Sequence, residues 1–269
     1  MAAITAQMVK ELRDKTDAGM GECKKALVAT DGNLEAAVDF LRKAGIAKAE
    51  HRADKATKEG KIHVEVDGSN AVMLEILCET DFVANNEKFV EYVQKAAKNI
   101  LANTTGCGDV TEKAQALEAE DLAALFTKFG EKMILRRALR FETAGGIASY
   151  IHGGGKVGVL VEAEGEYTAE LLKDVCLHIA AYSPLYVCPC EVPAEKVEHE
   201  KEIGRAQLLE QGKPENMIEK ILIGKINKWY EEVCLIDQAW IHDDKSSLKK
   251  LYPNLKIKRF ARWTVGQEI

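Results

Sequence analysis

Ile62-His63-Val64-Glu65-Val66-Asp67-Gly68-Ser69-Asn70-Ala71-Val72-Met73-Leu74-Glu75-Ile76-Leu77-Cys78 decides the architecture. Before it, apolar residues recur every three or four positions; within it they alternate. Ile62, Val64 and Val66 take one face. Asp67 to Asn70 is turn chemistry, and Val72, Leu74, Ile76 and Cys78 alternate again, so the stretch predicts a β-hairpin. Glu79-Thr80-Asp81 closes the second strand. Thr80 or Asp81 is then placed to cap a helix with Phe89, Val90, Val93, Ala96, Ala97, Ile100 and Leu101 on one face.

The same order returns downstream. Ile147, Ser149 and Ile151 lead into a turn at 152–156, and Val157, Val159 and Val161 form a second strand. A helix after Gly165 carries Leu171, Leu172, Val175, Ile179 and Ala180. Hairpin, connection and helix at 62–101 and at 147–182 imply two related lobes of antiparallel sheet plus helix, hence an α+β fold. Between them, 111–141 reads as further helix, with Arg136, Arg137 and Arg140 as a basic patch. Upstream, three short helices form a small bundle. Thr5 caps the first, Asp17-Ala18-Gly19 breaks it, Asn33 caps the third, and Gly45 stops that helix. The Ala-, Lys- and Glu-rich run 48–61 reads as a linker, partly helical.

Charge-rich 194–211, the turn Gly212-Lys213-Pro214 and an apolar seam of Met217, Ile218, Ile221, Leu222, Trp229 and Val233 predict an αα-hairpin. Two helices alone bury little surface. The seam therefore either meets a partner or a second copy, or packs on its own lobe. Strand-like runs at 233–241 and 255–265 are placed to complete the second sheet. The expected segments are 1–55 (helical module and linker), 56–141 (first lobe), 142–186 with 233–269 (second lobe) and 187–232 (inserted helical hairpin).

Composition narrows the class. The chain has 269 residues, and its 37 basic and 43 acidic side chains leave a net charge of −6, so no general attraction to nucleic acid or anionic lipid is expected. No run approaches the length of a transmembrane helix, and the first residues lack a secretory pattern. The seven cysteines are scattered and point to reduced thiols, consistent with a cytoplasmic protein. Gly153 to Gly158 spells GxGxxG, but a strand follows where a dinucleotide site needs a helix, so a hairpin turn is the reading. Cys188, Cys190 and His199 fall short of four paired zinc ligands, so no metal is expected. His178 sits on an apolar helix and reads as a partnered, partly buried residue. The lysines and arginines of 245–262 read as a solvated face. Neither a catalytic constellation nor a cofactor motif stands out. Thr80-Asp81-Phe82-Val83 places a carboxylate and a large ring at a strand-to-helix corner. Spacing allows two readings, since Phe82 precedes Phe89 by seven residues and would then face inward.

Two stretches carry a resemblance. Leu12-Arg13-Asp14-Lys15-Thr16-Asp17-Ala18-Gly19-Met20-Gly21-Glu22-Cys23-Lys24-Lys25-Ala26-Leu27 closely resembles the N-terminal signature of the elongation factor Ts family. Glu75-Ile76-Leu77-Cys78-Glu79-Thr80-Asp81-Phe82-Val83-Ala84-Asn85 resembles its second signature. The likeness continues through Ser149 to His152, Val157 to Val161 and Gly212 to Pro214. Through Gly19-Met20-Gly21 and Asn33 to Leu41, the first helices also resemble a ubiquitin-associated domain. The resemblance implies a guanine-nucleotide exchange factor, without covalent catalysis or a cofactor, that acts on elongation factor Tu. It implies that Thr80, Asp81, Phe82 and Val83 disturb the Mg²⁺ site of Tu, with Phe82 as a wedge. Lys10, Arg13, Met20 and Gly21 would contact the nucleotide domain of Tu, and His152 another domain. A homodimer would give a heterotetramer with Tu. Leu77 stands where the family commonly has Asn, and Ala239 where it has Pro. Many relatives carry a further C-terminal helix beyond the position of Ile269.

Overall fold

The computed structural model describes residues 4–16, 18–51 and 56–268. Asp17 of the expected helix break, and 52–55 of the expected linker, lie outside the described residues. The fold is α+β, with antiparallel pairing in its named strands.

The first helices are α1 (Ala6–Thr16), α2 (Met20–Ala29) and α3 (Leu34–His51). The Thr5 hydroxyl accepts from the Met8 N–H at 3.3 Å, and the Asn33 carbonyl oxygen Oδ1 from the Ala36 N–H at 3.0 Å. Both caps satisfy donors that a helix start leaves free. Val9, Leu12, Cys23, Ala26, Leu27, Ala37 and Leu41 form the small aliphatic core. Helix α3 runs past Gly45, where a stop was expected. The Ala- and Lys-rich sequence around it has high helix propensity and absorbs the cost of about 1 kcal/mol for one glycine.

The hairpin forms as expected from β1 (Glu59–Asp67) and β2 (Asn70–Cys78), with Asp67 opposite Asn70. Strand β2 is buried almost throughout, on both faces, and pairs along both edges in a sheet ordered β1-β2-β4-β3. The helix expected from residue 81 is two helices. A single turn, α4 (Asp81–Ala84), ends at Asn85, and α5 (Glu87–Asn103) starts afresh with the Asn86 side chain accepting from the Lys88 N–H. Val83 and Ala84 join Phe89, Val93, Ala96, Ala97 and Ile100 in one cluster with Val72, Leu74, Ile76 and Cys78.

The stretch 111–141 is not one helix. After the short β3 (Gly108–Asp109), α6 (Thr111–Phe129) ends at Gly130. Its φ of +68° is left-handed backbone that a side chain would strain, and β4 (Ile134–Glu142) follows. Arg136, Arg137 and Arg140 are therefore strand residues, not an exposed basic patch. Arg140 donates to the Leu101 carbonyl at 2.8 Å and to Asn70 Oδ1 at 2.7 Å. Arg137 Nε donates to the Glu75 carboxylate at 2.5 Å.

Further on come β5 (Gly146–His152), β6 (Val157–Gly165) and α7 (Ala169–Tyr182), capped by the Thr168 hydroxyl, which accepts from the Leu171 N–H at 3.1 Å. The αα-hairpin is α8 (Ala194–Glu210) and α9 (Glu215–Val233), meeting through Leu208, Ile218 and Leu222. Met217, expected on the seam, is exposed. The run 233–241 contains only β7 (Ala239–Trp240), paired with β8 (Asp243–Ser247) in a separate ribbon. A short α10 (Leu248–Leu251) precedes β9 (Leu255–Thr264), which completes the sheet β5-β6-β9. Val159, Val161, Leu172, Val175, Ile179, Leu235 and Trp240 fill the core of this region.

The chain forms two compact units. One is Met1–Glu142 with Ile151–Val157 and Trp263–Ile269; the other is Thr143–Tyr150 with Gly158–Arg262. Among the described residues, no helix is long and apolar enough to cross a membrane.

Candidate functional site

The corner after β2 is built from its N-terminal side. Thr80 leaves the strand extended, with φ −123° and ψ 155°, and its hydroxyl accepts from the Val83 N–H at 3.4 Å. One turn later Val83 is buried in the core, while Phe82 is 84% exposed. The break at Asn85-Asn86 explains the opposite directions. Phe82 belongs to the single turn α4, so a register counted back from Phe89 does not apply to it. Of the two readings that spacing allowed, the structure has the outward one. The ring adds nothing to the core and stands open to solvent.

Both ends of the turn are held. At the start, Glu131 Oε2 accepts from the Thr80 N–H at 3.0 Å and Oε1 from the Thr80 hydroxyl at 2.6 Å. In return, Glu79 Oε1 accepts from the Lys132 N–H at 2.8 Å. At the far end, Lys61 Nζ donates to Asn85 Oδ1 at 3.0 Å and also to the Gly154 carbonyl. Desolvation, with Lys156 nearby, pulls the Lys61 ammonium below its ordinary range. The β5–β6 turn is fastened again by the Ile62 N–H, which donates to the Gly155 carbonyl at 2.8 Å, and by the pair Lys156–Glu59. The structure thus brings together the Thr80–Val83 corner and the turn that carries the exposed His152.

Behind the corner, the Glu75 carboxylate is wholly buried in β2. Arg137 pairs with it, Arg136 Nη1 lies 3.5 Å away, and the Gly266 N–H donates to it at 2.8 Å. The Arg137 guanidinium stacks 4.3 Å above the Trp263 ring.

The remaining expected contacts lie on the first helices. Lys10 and Arg13 are exposed on α1, Gly21 is exposed on α2, and Met20 opens α2 with 61% of its surface exposed. Sequence reasoning missed Lys61 and Glu131. Gly130, read as a helix C-cap, would have been the signal for Glu131.

Other expectations resolve elsewhere in the chain. The 153–155 glycines form the β5–β6 turn. Cys188 and Cys190 are joined as a disulfide, where composition pointed to reduced thiols; spacing by one residue keeps their Cα atoms 5.3 Å apart, within bridging range. His178 is fully buried. Its Nε2 meets Gln238 Oε1 at 3.0 Å, it stacks on Tyr182 and Trp240, and burial lowers its pKa from the ordinary 6.5. Within 245–262, Lys249 pairs with Asp237, Lys258 with Glu164 and Arg259 with Glu162, which neutralises much of that basic face. Among the described residues, no group of three or more His, Cys, Asp and Glu is arranged to hold a metal ion.

Residues 79–267 match the family model described as Elongation factor TS. A protein named Elongation factor Ts from Trichlorobacter lovleyi is 42% identical over an alignment covering 98% of this chain and 93% of the relative. Another of that name, from Clostridium botulinum, is 40% identical, covering 99% of this chain and 94% of the relative. The matched region begins at the edge of the Thr80–Val83 corner and, with this identity over nearly the whole length, the chain belongs to the elongation factor Ts family of translation elongation factors.

Proposed function

We propose that the protein is a guanine-nucleotide exchange factor for elongation factor Tu. It binds Tu loaded with GDP, displaces Mg²⁺ and GDP, and stabilises the empty form until GTP binds. The observation that carries this reading is Phe82: a large ring, 84% exposed, on a turn whose next residue is anchored in the core. A ring presented this way inserts between partner side chains without first folding. Asp81, exposed beside it, and the Thr80 to Val83 backbone then perturb the groups that hold Mg²⁺ in Tu.

The work is mechanical. The factor favours a Tu conformation that holds GDP and Mg²⁺ poorly, so no covalent step, cofactor or metal of its own is needed. By linkage, GDP must weaken binding of the factor by the same ratio.

Lys10, Arg13, Met20 and Gly21 dock a ubiquitin-associated-like module of α1 to α3 on the nucleotide domain of Tu. His152 meets a second Tu domain. The chain then works as four segments, 1–55, 56–141, 142–186 with 233–269, and the inserted hairpin 187–232, in the cytoplasm. The exposed Met217 of the α9 seam is open to a second copy, giving a heterotetramer with Tu. RNA is disfavoured as the target by the acid partners of the 245–262 side chains. The test is release of labelled GDP from purified Tu. The reading expects acceleration by catalytic amounts of this protein, and an unchanged release rate would refute it.

A further inference from the structure

We infer that Glu131 is the positioning residue of the Thr80–Val83 corner, acting through Thr80 to aim Phe82. The inference deepens the exchange reading above and rests on it. Phe82 is exposed, so little packing holds its ring; its direction is set by the backbone of a single helical turn. A helix of four residues has no length with which to stabilise itself. It must be held from outside.

Glu131 supplies that hold at the start of the turn. One carboxylate oxygen takes the Thr80 N–H at 3.0 Å and the other takes the Thr80 hydroxyl proton at 2.6 Å. Committing that proton to Glu131 leaves the hydroxyl oxygen to accept the Val83 N–H. The cap therefore has one orientation instead of three. Bidentate, charge-assisted contacts are the stronger and more directional kind. Glu131 is itself fixed in place: Gly130 ends α6 in left-handed backbone, and the next residue, Lys132, is tied back to Glu79. Two acids thus cross between the end of β2 and the 130–132 loop, each taking a backbone N–H from the other side. Lys61 holds the opposite end of the turn through Asn85.

The test compares Glu131→Ala and Glu131→Gln with the wild type, each with Phe82 intact and with Phe82→Ala. Labelled GDP release from Tu is measured against factor concentration. Misplacement of a working group by about 1 Å costs up to about 100-fold in rate. Glu131→Ala should lower the maximal release rate about tenfold, while the half-saturating concentration moves less than about threefold because other contacts remain. Glu131→Gln keeps an acceptor for the Thr80 hydroxyl and should recover part of the loss. In the Phe82→Ala background, Glu131→Ala should add less than about a twofold loss, since residues acting through one another are not additive. An equal loss in both backgrounds, or an unchanged maximal rate in Glu131→Ala, overturns the inference. A wild-type rate for Phe82→Ala alone would instead count against the wedge reading. Hydrogen exchange of the free protein separates the two: Glu131→Ala should speed exchange at the Val83 to Asn85 amides while β2 stays protected. Unchanged protection at those amides also overturns it.

Discussion

The molecule uses one device twice and exploits it once. In both lobes an antiparallel hairpin leads to a helix capped by a threonine hydroxyl, Thr80 for α4 and Thr168 for α7. In both, an arginine on a neighbouring strand pairs at 2.5 Å with a glutamate on the hairpin's second strand: Arg137 with Glu75, Arg259 with Glu162. After Thr168 the chain runs straight into fourteen residues of helix, and the adjacent aromatic, Tyr167, lies over Gly146 so closely that a Cβ there would meet its ring at 2.6 Å. After Thr80 the helix is broken within one turn, and Phe82 projects. The regular connection packs its aromatic against the fold, leaving Tyr167 38% exposed; the interrupted one leaves Phe82 84% exposed. The second arrangement has little intrinsic stability, and the first lobe compensates with the Glu131 clasp, the Lys61 bridge and an ion pair whose carboxylate is fully buried.

That contrast is open to mutation. The largest effect should fall on the ion pairs. Arg137→Met takes the closer cation from the buried Glu75 carboxylate, leaving it Arg136 at 3.5 Å and the Gly266 N–H, and urea unfolding should show a loss of about 3 kcal/mol. Arg259 is more than a third exposed, so Arg259→Met should cost about 1 kcal/mol or less. Equal losses would mean that the lobes are braced alike.

Gly146→Ala pushes a methyl against the Tyr167 ring and should cost about 1–3 kcal/mol of stability, without slowing exchange on Tu. A defect in exchange would make the second corner functional as well. The caps come next. Thr168→Ala and Thr80→Ala should each lose about 1 kcal/mol, but only Thr80→Ala should also reduce GDP release, because it breaks the link to Glu131.

The smallest effect is a pH dependence. Burial lowers the His178 pKa from the ordinary 6.5, so the folded state resists the proton that the unfolded state accepts. Stability is fully present above about pH 6.5 and declines as pH falls below it. His63 is shifted the same way by burial. His178→Gln should therefore flatten, without abolishing, the fall of the thermal midpoint between pH 7.5 and 5, and an unchanged slope would exclude His178 as a contributor.

Local chemistry was legible wherever a short stretch decides the outcome. The hairpin turns, the Thr5 and Asn33 caps and the αα-hairpin followed from neighbouring residues alone. Strand β4 did not. Ile134-Leu135-Arg136-Arg137-Ala138-Leu139-Arg140 is rich in good helix formers, and it is a strand because β2 and β3 pair with it on either side. The loss propagated to the site. With β4 read as helix, Arg136 and Arg137 looked like a surface patch, not partners of Glu75, and Glu131 had no reason to reach Thr80. The direction of Phe82 turned on Asn85 and Asn86, which end one helix and begin another. Their spacing was visible, but not that a break would fall there.

The central claim is that the broken corner drives nucleotide release through Phe82. The most direct measurement is the maximal rate of labelled GDP release from Tu at saturating Phe82→Ala factor, beside Tyr167→Ala as the matched aromatic of the other lobe. A hot-spot truncation of at least about 2 kcal/mol corresponds to more than tenfold. The account predicts at least about a tenfold loss for Phe82→Ala with binding to Tu partly retained, and a rate within about twofold of wild type for Tyr167→Ala. Equal maximal rates for Phe82→Ala and the wild type would contradict it.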